Sequence, residues 1–174
     1  MSSFGGHHVV ARPRRAAFTL AETVMSLVVV SVMFVAALST VGASRLSQQK
    51  ASLSSRGQLL AEMLMSEILL QNYKDPGPSP VFGTEPSEST TTRADFDDVD
   101  DYNGWSSSPP TFKDGTQIVG FTGWRQSVTV NWVDPMNPAQ VAYSDTNAKR
   151  ITVEIFYGNM RTASLVAVKT ASGY

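Results

Sequence analysis

The sequence predicts an α+β fold: one long amino-terminal helix whose second half lies on a small antiparallel sheet of three or four strands. Three features carry this. From Thr23 to Ser44 there are 22 consecutive residues without a charge. Leu46, Leu53 and Leu60 follow at seven-residue spacing, a helical period. Near the carboxyl end, three runs alternate polar and apolar side chains, as half-buried strands do. The chain has 174 residues, room for one small domain once a leader and an anchor are set aside.

The elements follow in order. Residues 1–17 read as a short basic leader and residues 18–44 as a membrane-spanning helix. The uncharged run reaches about 33 Å at ~1.5 Å per residue, against a bilayer core of roughly 30 Å. Arg12, Arg14 and Arg15 precede it without acidic company. That bias holds the amino terminus in the cytoplasm and sends everything after Ser44 outward. Glu22 is the anomaly, because a carboxylate at the centre of a spanning helix costs ~2.5–3.5 kcal/mol, softened near an end. It either snorkels to the interface or has a cationic partner. A cut between Ala17 and Phe18 would create such a partner, a new α-amine, which could meet the carboxylate of a neighbouring subunit where packed helices exclude lipid.

Arg14-Arg15-Ala16-Ala17-Phe18-Thr19-Leu20-Ala21-Glu22 resembles the prepilin leader and amino-terminal helix of type IV pilins and type II secretion pseudopilins. A basic leader, a small residue at the cut, phenylalanine first in the mature chain and glutamate fifth all stand in order. The family usually has glycine before the cut, where this chain has Ala17, and its helix-breaking proline is replaced by a stretch containing Ser39 and Gly42. The resemblance implies a pilin-like fold and removal of residues 1–17 by prepilin peptidase, with methylation of the Phe18 amine. It further implies docking through Glu22 onto other pilin or pseudopilin subunits at an inner-membrane assembly platform. The chain would sit in the lipid of the bacterial inner membrane as a single-pass protein, then pass into a pilus or pseudopilus, most naturally as a minor subunit. A pseudopilin of a type II secretion system is the nearest alternative. A tethered or secreted ligand- or calcium-binding module that never polymerises is a further one. Val41-Gly42-Ala43 before Ser44 offers the secretory route, but the apolar run exceeds the usual ~7–15 residues of a secretory core.

Residues 45–73 read as an amphipathic continuation of the helix. Leu46, Leu53, Leu60, Met63, Leu64, Ile68 and Leu69 form its apolar stripe, opposed by Gln48, Gln49, Lys50, Ser54, Ser55, Arg56 and Gln58. Lys74-Asp75-Pro76 ends it. Gly57 costs about 1 kcal/mol in a helix interior and marks either a close approach or a weak point. A coiled-coil stalk is the alternative use of this segment.

Residues 74–116 form an irregular connection, too long for a neutral loop. Its first part is rich in Pro, Ser and Thr. Its second part places Asp95, Asp97, Asp98, Asp100 and Asp101 among Phe96, Val99, Tyr102 and Trp105, and is similar to an FDDVDDYNGW-type segment of minor pilins of mannose-sensitive haemagglutinin systems. Clustered carboxylates suit calcium, which takes about six to eight oxygens. An EF-hand is excluded: with Gly104 in the sixth place, Val99 and Pro110 fall where the first and last ligands belong. The other readings are that the aromatics pin the loop to the sheet while the aspartates cap turns, accept amide hydrogen bonds or pair with Arg93 and Arg125, or that this acidic edge meets a basic patch on a neighbouring subunit.

Residues 117–174 supply the sheet. Ser127–Val133, Ile151–Tyr157 and Thr162–Lys169 read as strands, the last two joined as a hairpin through Gly158-Asn159. Shorter strands are expected at Gln140–Ser144 and around Gln117–Phe121. Without the leader there are 11 basic and 15 acidic residues, a net charge near −4, so no basic surface for nucleic acid is implied. There is no cysteine, and the only histidines, His7 and His8, fall in the leader. A thiolate, a histidine base and the usual zinc ligands are therefore missing from a mature chain, and no enzyme is expected.

Overall fold

The computed structural model describes residues 19–77, 80–86, 88–89 and 91–171. Ala17 and Phe18 lie outside the described residues. Contacts divide the chain into two units between Ser47 and Gln48. One helix, α1 (Leu20–Leu69), contributes to both.

In the amino-terminal unit the Thr19 hydroxyl accepts the Glu22 amide at 3.3 Å. This is a helix N-cap, with the glutamate three residues on. Every described residue of the unit is exposed, and the helix is long and apolar enough to cross a membrane. Several of its hydroxyls bond within the helix: Ser31 donates to the Leu27 carbonyl at 2.7 Å, and Ser39 and Thr40 both donate to that of Ala36.

In the second unit the helix lies on a five-stranded antiparallel sheet, the α+β arrangement expected. The strands are β1 (Ser106–Ser107), β2 (Trp124–Asp134), β3 (Asn137–Val141), β4 (Ala148–Tyr157) and β5 (Met160–Thr170). Their order is β1-β2-β4-β5, with β3 also paired to β2. Alternation works as read: Val128, Val153 and Leu165 are register partners on the helix-facing side, as are Val130, Ile151 and Ala167. The β4–β5 turn runs through Gly158 at φ +55°, a conformation glycine adopts at little cost.

The helix buries Gly57, Leu60, Ala61, Leu64, Met65 and Ile68, with Leu53 packed at the edge of the core. Leu46, Met63 and Leu69 of the expected stripe are instead exposed: Leu46 belongs to the amino-terminal unit, and Met63 and Leu69 lie beside the buried face at 100° per residue. Gly57 is a close approach: a Cβ there would lie 2.9 Å from the Thr162 Cβ and 3.3 Å from its carbonyl carbon.

Three boundaries differ from expectation. The helix stops at Leu69, not Tyr73, because Asn72 leaves it to bridge Asp98. The Asn72 amide donates to Asp97 and its carbonyl accepts from Val99, both at 3.1 Å. No strand forms over Gln117–Phe121, where the only pairing is a single bridge from Gln117 to Thr111. That segment spends its backbone on turns, and Phe121 on an edge-on contact with Trp124 at 5.4 Å. The short strand lies at Asn137–Val141 rather than Gln140–Ser144, since Pro135 and Met136 turn the chain immediately after Asp134.

Candidate functional site

Glu22 stands in the first turn of α1, where the unpaired amides favour negative charge. It is exposed between Ala21 and Thr23, and among the described residues it makes no salt bridge. With Met25, Ser26, Val29 and Val30 it lines a shallow apolar depression along the helix. A carboxylate so placed can receive a cation presented by a packed neighbour.

The acidic segment, by contrast, is largely interior. Phe96, Val99, Tyr102 and Trp105 are all buried and pin the loop as one of the readings held. Phe96 and Tyr102 meet edge-on at 5.0 Å. The Gly104 amide donates to Val128 and the Val128 amide to Trp105, at 3.1 and 3.0 Å, while the Asn103 side chain accepts from Val130. These bonds stitch the segment to β2.

The five aspartates divide by role. Asp95 and Asp97 are exposed. Asp98 and Asp101 hold each other's turn: Asp98 Oδ1 accepts the amides of residues 100 and 101, and Asp101 Oδ2 accepts those of 97 and 98 at 3.0 Å each. Burial pushes the Asp98 carboxyl up to about 8, with the adjoining Asp100 and Asp101 carboxylates adding to it. Asp100 forms a fully buried ion pair with Lys149 of β4. Lys149 also donates to the Tyr73 carbonyl, and its β5 neighbour Lys169 donates to the carbonyls of Leu69 and Gln71. The sheet thus supplies the cations that the last helical turn lacks.

Neither arginine pairs with an aspartate as one reading held. Arg93, 1% exposed, forms a bidentate pair with Glu67 of α1 at 2.8 and 3.1 Å. It also donates to Thr111 and stacks 4.0 Å from the Trp105 ring centre. The Tyr102 hydroxyl donates to the same Glu67 at 3.0 Å. Arg125 lies on the exposed face over Phe156. Arg93 takes the better-placed carboxylate, Glu67, which points from the helix toward the loop, whereas Arg125 lies on the exposed face.

One further group comes together. Glu85, Glu88 and Asp101 each present a carboxylate oxygen, and the three oxygens lie within 4.8 Å of one another. Of the five candidate aspartates, only Asp101 belongs to it. Burial pushes Glu88 up to about 8, with its carboxylate neighbours Glu85 and Asp101 adding to it. Glu85 and Glu88 sit in the Pro-, Ser- and Thr-rich stretch and reciprocate through their backbone: the Glu85 amide donates to the Glu88 carboxylate at 2.9 Å, and the Glu88 amide to the Glu85 carbonyl at 3.0 Å. Two glutamates three apart beside proline carry no recognisable ligand spacing, so only the fold brings them to Asp101. Phe82 anchors the same stretch against Trp132 at 4.4 Å.

No family model, no curated protein and no solved structure matches the chain.

Proposed function

We propose that this chain is a structural subunit, a minor pilin, of a type IV pilus-like fibre. In this reading prepilin peptidase cuts between Ala17 and Phe18. The apolar helix holds the subunit in the bacterial inner membrane with the α+β head outside, and Glu22 then docks the helix onto the amine of a neighbour at the assembly platform. The role is mechanical and not catalytic. The observation that carries the reading is the exposed apolar helix with one unpaired carboxylate in its first turn. Apolar surface of this extent requires lipid or packed helices, and a carboxylate facing either requires a cation. The same helix would serve a pseudopilin, and the readout separates the two fibres.

The test is Glu22→Ala in the host cell. Membrane insertion is expected to persist, because the change removes a charge from an apolar segment. Recovery of the subunit in sheared surface fibres is expected to fall at least about ten-fold, the equivalent of ~1.4 kcal/mol of lost docking. Wild-type recovery would sink the docking role. A loss of protein secretion with surface fibres intact would reassign the chain to a pseudopilus.

A further inference from the structure

We infer that Glu85, Glu88 and Asp101 form a calcium site that ties the stretch after the helix to the acidic turn. The inference is independent of fibre assembly.

Three carboxylate oxygens from two separate segments converge within 4.8 Å. Were all three ionised with no cation between them, like charges at that spacing would repel by roughly 3–4 kcal/mol per pair at an effective dielectric constant near 20. Among the described residues no lysine or arginine pairs with any of the three. The independent observation is an orphan: Asp101 is 1% exposed, and its Oδ1 is buried without a hydrogen-bond partner. Burial and the nearby Glu85 carboxylate hold its carboxyl above the usual aspartate range, although its other oxygen accepts two amides that favour the ionised form. Glu85 Oε1 is likewise buried and unpartnered. Buried polar atoms are nearly always satisfied, and a buried charge calls for a partner of opposite sign. One cation among these oxygens answers the repulsion and both orphans together.

The donor set selects the ion. All three donors are carboxylate oxygens, suited to a hard cation and unlike the nitrogen and sulfur sets of zinc. The ligands come from loop segments of irregular geometry, which calcium accepts and magnesium, with its strict octahedron, resists. Water and loop carbonyls would complete the shell.

The test uses the full chain purified in dodecyl maltoside, with CaCl2 as the probe. Equilibrium dialysis is expected to find one calcium per chain, with a Kd of about 10⁻⁴–10⁻³ M as in extracellular modules. At ten times Kd, calcium is expected to raise Tm by on the order of 5 °C over EDTA. Glu85→Gln/Glu88→Gln is expected to lose the bound calcium and the shift while keeping its near-ultraviolet dichroism in EDTA. Asp95→Asn/Asp97→Asn, at the exposed positions, is expected to keep both. The inference is overturned if the wild-type chain binds no calcium at 10 mM, or if the glutamine variant binds it as wild type does. The dialysis of unmodified protein decides the matter even if the variant misfolds.

Discussion

Gly57 separates two physical effects of opposite sign. In a bare helix Gly57→Ala would stabilise by about 1 kcal/mol. Here the new methyl would meet the Thr162 Cβ at 2.9 Å and its carbonyl carbon at 3.3 Å. Neither gives way readily: threonine is stiff at χ1, its hydroxyl donates to the Ile155 carbonyl at 3.2 Å, and the carbonyl carbon belongs to β5. Overpacking of this kind costs ~1–3 kcal/mol and rises with the rigidity of the neighbour. With a stiff neighbour on the far side the clash falls in the upper half of that range, ~2–3 kcal/mol, and outweighs the propensity, leaving a net loss of about 1–2 kcal/mol and a Tm lower by roughly 3–8 °C. Thermal unfolding followed by near-ultraviolet dichroism of the full chain in dodecyl maltoside reads this directly. Combining the change with Thr162→Ala, which removes the nearest clashing oxygen but keeps the Cβ, is expected to recover about 0.5–1 kcal/mol as a coupling term. A Gly57→Ala variant stabilised by ~1 kcal/mol, with no coupling to Thr162, would mean that the helix does not lie on β5 at this distance.

Two further outcomes follow from the polar contacts. Arg93→Met is expected to cost roughly 3–5 kcal/mol, because it strands Glu67 between helix and loop; Arg93→Lys is expected to recover little, since one ammonium cannot replace a bidentate guanidinium stacked on Trp105, and urea unfolding measures both. Asp145 sits below the usual aspartate range: burial opposes this, but the Tyr73 hydroxyl bond at 2.6 Å and the Asn147 amide outweigh it. Its folded value is lower than its unfolded one, so its contribution is present above the unfolded value near 4 and is lost as pH falls through the folded one. Carbon-detected titration of Tyr73→Phe is expected to show Asp145 moving up toward the ordinary value; an unmoved Asp145 would remove the hydroxyl as a cause.

Much of the fold could be read from local pattern. Ile151, Val153 and Ile155 alternate without interruption, and Gly158-Asn159 announces the turn after them, so the β4–β5 hairpin needs no tertiary knowledge. The end of the helix is different. Residues 70–73 have no local reason to leave it, and what draws them out is the bridge to Asp98 and the lysines of β4 and β5, contacts many residues away. Lys149 occupies a core-facing position that a polarity pattern assigns to an apolar residue, and only Asp100 explains it. The acidic segment showed the same limit. Its aromatics signalled burial, but which aspartates face inward depends on turns closed by Asp98 and Asp101, and Glu85 and Glu88 carry no spacing that points to them.

Maturation of the amino terminus is the step on which assembly through Glu22 depends. Intact mass and amino-terminal sequencing of the protein extracted from host membranes are expected to show a chain that starts at Phe18 and carries one added methyl. A start at Ser44, or an intact residue 1 in the membrane-bound protein, would contradict prepilin processing and with it the pairing of Glu22 to a neighbour's amine.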